Sequence, residues 1–187
     1  MRLFVALELP ERARTDLVRA VDDVRRASGP LDGVRWAAPE RWHLTLAFLG
    51  EVPDAKVPTV TASIGRKMAR HAALGLGVAG SGRFGRRVLW VGIAGDRPAL
   101  GRLAGAVSVG ARRAGVAVED RPYRPHLTIA RSEGLADLAP LAEALAAYAG
   151  PTWTAGEVLL VRSRLGPRPV HEPIAAWPLA RTGPPSD

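Results

Sequence analysis

The sequence contains no cysteine, which excludes disulfides, a thiol nucleophile and cysteine-based zinc or iron–sulfur sites. Lysine is scarce as well: it stands only at Lys56 and Lys67, so almost all of the 26 basic residues are arginine. No apolar run approaches the ~20 residues that a membrane-spanning helix requires, so no membrane partner is expected. The opening Met1-Arg2-Leu3-Phe4-Val5-Ala6-Leu7-Glu8-Leu9-Pro10 lacks a long apolar stretch and a small-residue cleavage site, and it reads as a strand rather than a signal peptide. Gly-x-Ser-x-Gly is absent, which removes the usual serine-hydrolase elbow. No Gly-Lys-Ser/Thr follows the glycine-rich stretch 75–85, which removes a P-loop. A cytoplasmic protein fits these absences.

The net charge of +8 favours phosphate-rich partners. Arg, Ala, Gly and Pro are also what GC-rich coding sequence favours, so the charge is weak support for a nucleic-acid substrate. At 187 residues the chain can build one substantial core or two small lobes sharing an interface. Residues 1–181 are expected to form a single two-lobed domain, and 182–187 a disordered tail.

Periodicity orders the rest. Residues 2–9 form a strand. A helix opens at Pro10 with Ala13, Leu17, Val21 and Val24 inward, and stops at Gly29-Pro30. Val34-Arg35-Trp36-Ala37 is a short strand, Pro39-Glu40 a turn, and the next strand runs to Phe48. Asp54 caps a second helix with Val57, Val60, Ile64 and Met68 inward. A strand and a basic loop fill 75–87, and 88–93 is a strand apolar on both faces. Asp96 and Pro98 start a third helix with Leu100, Leu103, Val107 and Ala111 inward. After a strand that ends near Arg131, Asp137 caps a fourth helix whose stripe is Leu138, Leu141, Leu145 and Tyr148. Strands near 158–162 and 174–179 close the chain. Strands that follow one another without a helix between them imply antiparallel sheets with helices outside, an α+β class.

One phrase is written twice. His43-Leu44-Thr45-Leu46 and His126-Leu127-Thr128-Ile129 share the pattern His-x-Thr-x, and the chain has only four histidines. Side chains alternate along a strand, so each copy sets an imidazole and a hydroxyl on one face and sends apolar residues to the other. A lone His-x-Thr would be read as a half-buried surface histidine. The recurrence argues instead for two motifs facing one cleft and for an internal duplication. Near neutral pH one imidazole can be neutral and the other protonated. Such a pair can take a proton from an attacking water and give one to a leaving oxygen at phosphorus, while the threonine hydroxyls donate to phosphate oxygens. A zinc site is weakly supported, because each motif supplies one good ligand. His71 and His171 are given no catalytic role, and the five tryptophans are assigned to the core.

The combination His-Leu-Thr-Leu-x-Phe-Leu-Gly with Arg-Pro-x-x-Pro-His-Leu-Thr-x-Ala-Arg resembles the two-histidine phosphoesterase superfamily. Within it the chain resembles the bacterial and archaeal RNA 2′,3′-cyclic phosphodiesterases, also called 2′-5′ RNA ligases. The resemblance covers 2–9, Val34-Arg35-Trp36, 42–50, 88–92, 120–131, 161–166 and Trp177-Pro178-Leu179. It implies two pseudo-symmetric lobes, each an antiparallel sheet with helices outside, and one cleft lined by both motifs. It also implies hydrolysis of RNA 2′,3′-cyclic phosphate to a 2′-phosphomonoester, without metal or other cofactor, by a monomer. His43 would be the proton donor, His126 the acceptor, and Thr45 and Thr128 would hold the phosphate. Arg131 would be a further phosphate ligand, although strict alternation places it opposite His126 unless the strand bulges. Tyr123 and Phe84 are the candidates for stacking the terminal base, with Tyr123 taken as the substrate-binding residue. A 2′-5′ ligation would be the reverse reaction. The alternatives are a cyclic phosphodiesterase for small nucleotides, of the ADP-ribose cyclic phosphate type, and a non-catalytic RNA-binding module.

Overall fold

Along the first strand, β1 (Arg2–Glu8), Leu3, Val5 and Leu7 join the main core while Phe4 and Ala6 join a second, smaller cluster with Leu159 and Val161. That two-sidedness organises the molecule, because one face of the sheet is closed by helices and the other is left for a cleft. The computed structural model describes residues 1–133, 136–164, 166 and 170–181. The expected tail, 182–187, lies outside them.

The remaining elements are α1 (Glu11–Ser28), β2 (Val34–Trp36), β3 (His43–Glu51), α2 (Val57–Met68), β4 (Leu74–Phe84), β5 (Val88–Gly95) and α3 (Arg97–Arg113), followed by β6 (His126–Ser132), α4 (Ala139–Ala144), β7 (Ala149–Ala155), β8 (Glu157–Arg164) and β9 (Val170–Pro178). They build two antiparallel sheets, ordered β3-β1-β8-β9 and β2-β6-β5-β4-β7. The α+β reading therefore holds. Helices α2 and α3 pack on each other behind the first sheet, touching β9 and β3, while α1 lies against β7 and α4 behind the second. At the junction β3 approaches β6, which brings the two His-x-Thr strands side by side.

The helix stripes are those the periodicity predicts: Ala13, Leu17, Val21 and Val24 in α1, and Leu100, Leu103, Val107 and Ala111 in α3, are all buried. Leu44, Leu127 and Ile129 are buried on the helix side, each stabilising the fold by about 1.5–3 kcal/mol. This burial also sets the pairing of the strands. A slip by one residue would send His126 and Thr128 into the core and Leu127 out of it.

Three elements differ from expectation. β3 continues past Phe48 to Glu51, because Gly50 takes φ 65 and carries the pairing on. Asp54 does not cap α2. A short 3₁₀ turn, Asp54–Lys56, precedes that helix, and the Asp54 carboxylate lies 3.7 Å from the N-terminal ammonium. α4 ends at Ala144, before Leu145 and Tyr148 of its expected stripe, and Ala149–Ala155, which includes Pro151, forms a strand. β7 is the sheet's outer edge, where a proline's missing N–H costs no ladder bond.

Candidate active site

The two motifs are built alike down to an irregularity. Thr45 stands opposite Ala6 and Ala47 opposite Val5, so Leu46 is an extra residue in β3. Thr128 stands opposite Trp90 and Ala130 opposite Leu89, so Ile129 is an extra residue in β6. Each extra residue is a β-bulge that shifts the alternation by one. In β6, Ile129 and Ala130 are consecutively buried and Arg131 emerges exposed, on the face of His126 and Thr128. The bulge thus removes the conflict that strict alternation raised.

In β3 the same bulge brings out Phe48, which is 56% exposed. It stands across from Phe4, with ring centroids 6.1 Å apart. Phe48 was not among the sequence candidates. The signal was present, since Phe48 and Arg131 each follow their histidine by the same interval.

The backbone orients both imidazoles. His43 Nδ1 lies 2.7 Å from the Arg41 carbonyl oxygen, and His126 Nδ1 lies 2.7 Å from that of Arg124. A carbonyl only accepts, so each Nδ1 is the donor, and Nε2 is left for chemistry. Around His43 the Phe4 ring is stacked at 4.6 Å and 25°, and His171 stands edge-on at 5.1 Å to both rings. Around His126, Phe84 stands edge-on at 4.8 Å and Trp90 lies at 6.5 Å. A cavity of about 70 Å³ opens beside His43, lined in part by Phe4, Glu8, Trp42 and His171. A larger open hollow of about 570 Å³, between α1 and β7, contains none of these residues.

Several candidates are placed differently from the sequence reading. His171, given no role, is a wall of the site, brought there by the β8–β9 pairing that sets it across from Ser163. Trp90, assigned to the core, is the cross-strand partner of Thr128 and lies on the cleft side. Its ring is packed over Gly82, where an added Cβ would collide with it. Gly82→Ala is accordingly expected to lower stability by about 1–3 kcal/mol, read as a fall in Tm. Tyr123 packs against the main core, its hydroxyl is buried without a hydrogen-bond partner among the described residues, and burial pushes its pKa upward. Of the two stacking candidates, Phe84 is the one that meets His126. His71 lies at the end of α2, where its backbone carbonyl accepts from Ala180.

Burial dominates the titration of both motif histidines. It pulls His43 down to about 4, partly offset by the Arg41 carbonyl and reinforced by the charges of His171 and His126. It lowers His126 too, against the pull of the Arg124 carbonyl and together with the Arg131 charge. Both rings are therefore neutral in the free protein near neutral pH. The negative charge of a bound phosphate favours the imidazolium form, so the acid's proton arrives with the substrate.

Two antiparallel sheets meeting at a cleft, with a mirrored His-x-Thr strand on each side, define a two-histidine phosphoesterase. Residues 10–167 match the model of the 2′-5′ RNA ligase superfamily, and the chain belongs to that family. It is 34% identical over 189 residues to the RNA 2′,3′-cyclic phosphodiesterase of Thermus thermophilus, covering 96% of this chain and 90% of the relative. The protein of that name from Geobacillus stearothermophilus is 33% identical over 181 residues, which cover 94% of this chain but 56% of that longer relative. Among solved structures, Escherichia coli LigT complexed with 3′-AMP superposes with a TM-score of 0.76 at 28% identity, over 95% of this chain and 97% of LigT.

Proposed function

We propose that the chain is an RNA 2′,3′-cyclic phosphodiesterase that works by paired-histidine acid–base catalysis without a metal. The observation that carries this is the mirrored pair of imidazoles, each held by a carbonyl at Nδ1 and each with Nε2 unpaired among the described residues. Water attacks phosphorus as His126 Nε2 takes its proton, the P–O3′ bond breaks, and the His43 imidazolium gives its Nε2 proton to O3′. The product is a 2′-phosphomonoester with a free 3′-hydroxyl. Thr45, Thr128 and Arg131, on the same faces as the histidines, donate to the phosphate oxygens where charge grows. With an RNA 5′-hydroxyl in place of water, the same displacement forms a P–O5′ bond as P–O3′ breaks and joins two ends through a 2′-5′ linkage. Each lobe supplies half of the acid–base pair, so a monomer holds a complete site.

An exposed aromatic beside Phe4 makes Phe48 the platform for the terminal base, in preference to Tyr123. Stacking on such a ring is worth ~1–3 kcal/mol. Phe48→Ala is therefore expected to raise KM about tenfold with kcat little changed, while Phe48→Trp retains activity. An unchanged KM in the alanine variant would contradict the assignment. The function itself is tested by turnover, with chelator present, of a short RNA ending in a 2′,3′-cyclic phosphate. Activity insensitive to chelator supports the reading, and loss on chelation refutes its metal-free step. Hydrolysis of small cyclic nucleotides alone would refute RNA as the substrate.

A further inference from the structure

Phe84 ends β4 on the cleft face. Gly82, two residues earlier, lies under the Trp90 ring, and side chains two apart on a strand share a face. The Phe84 ring therefore comes out beside His126, edge-on at 4.8 Å, with the Trp90 centroid 5.5 Å away and the two planes 37° apart. Phe84 is half-buried, and among the described residues neither it nor Trp90 packs into either hydrophobic cluster. Core packing does not account for this aromatic pair. The turn that follows is basic. Arg86 and Arg87 are exposed, and Arg83, also exposed, donates to the Gly85 carbonyl at 3.2 Å. Among the described residues none of the three has a carboxylate partner. Unpaired cations at the end of a sheet attract a polyanionic strand.

The direction of the reaction selects which strand. In a displacement at phosphorus the entering and leaving oxygens stand roughly in line. His43 serves the leaving O3′, and Phe48 on the same strand receives the terminal base, so the donor nucleoside occupies the side of the first sheet. His126 serves the entering oxygen, so whatever carries that oxygen comes in over the second sheet. Water needs no platform there. A nucleoside does, and Phe84 is the aromatic ring on that side closest to His126.

We propose that Phe84, with Trp90 beside it, is the stacking platform for a second nucleoside, the one whose 5′-hydroxyl takes the place of water. Its O5′ attacks phosphorus as the hydroxyl proton passes to His126 Nε2, P–O3′ breaks, and O3′ takes the His43 proton, so no further reactant is required. Ligation is then an activity for which this site selects its acceptor. This inference rests on the cyclic phosphodiesterase reading above and on its assignment of the two histidines.

The test is a partition between two products. Adenosine 2′,3′-cyclic phosphate is turned over in the presence of adenosine, or of methyl riboside as a 5′-hydroxyl acceptor without a base, and ligated and hydrolysed products are measured in one reaction. A disturbance of His126 alters both products alike, so their ratio reports the acceptor. The wild-type protein should give about tenfold more ligation with adenosine than with the riboside at equal concentration. Phe84→Leu, which keeps apolar bulk beside His126 and loses the aromatic face, should bring the two acceptors within about twofold, whereas Phe84→Trp should keep the preference. Hydrolysis in each variant is the check that it is folded. Equal ratios for the two acceptors in the wild-type protein, or a preference that survives in Phe84→Leu, would overturn the platform. Hydrolysis without any ligated product would overturn it as well and leave the phosphodiesterase reading standing. A wild-type protein inactive on cyclic ends, mononucleotide and RNA alike, would instead refute that reading.

Discussion

Replacing His43 or His126 by alanine is expected to lower kcat by about 10²–10⁴-fold in each case, with the fold preserved. The size of the loss follows from what each ring does, since removing either leaves one proton transfer without a partner. Preservation of the fold follows from the faces of the strands. Both rings lie half-buried on the cleft side, whereas Leu44, Leu46, Leu127 and Ile129 hold the core side. The double variant should be little worse than the weaker single one, because residues acting as one unit are non-additive. Each single variant should also lose one limb of the pH profile. His43→Ala removes the limb that requires a protonated acid, and His126→Ala the limb that requires a neutral base. Exchange of these limbs between the two variants would reverse the roles of donor and acceptor.

A second large effect is expected from pH alone. The profile of kcat/KM reports the free protein, in which burial holds His43 at about 4 and lowers His126 as well. An acid group is active below its pKa and is lost above it, so a depressed pKa moves the alkaline limb downward. Above the unperturbed histidine value of ~6.5, kcat/KM should fall about tenfold per pH unit. The profile of kcat should hold to higher pH, because bound phosphate stabilises the imidazolium. Stopped assays between pH 5 and 8 decide the matter. An alkaline limb in kcat/KM that begins only above pH 7.5 would show that His43 carries its proton before substrate arrives.

Much of this site is legible in the sequence, because period-2 alternation is a local property. It places His43 with Thr45 and His126 with Thr128, and it sends their leucine neighbours inward. The bulges are not legible in the same way. Counting by twos assumes an unbroken ladder, whereas Leu46 and Ile129 are extra residues relative to partner strands far away in the chain. Phe48 was missed for that reason, and Arg131 was left in conflict. His171 was missed because its place depends on the pairing of β9 with β8, which no local pattern encodes. Edge strand β7 is not legible locally, because Gly150-Pro151 breaks the strand pattern while its pairing with β4 lies far away in the chain. Tyr123 stands in a proline-flanked loop, and its packing against the core depends on contacts that no local pattern encodes.

The most direct test of the paired-histidine account is hydrolysis of an RNA 2′,3′-cyclic end in ¹⁸O-labelled water, with the terminal phosphate then located and weighed. The account predicts one heavy oxygen on a 2′-phosphate, formed by the wild-type protein and lost in both His43→Ala and His126→Ala. A 3′-phosphate product, or turnover that survives either substitution, would contradict it.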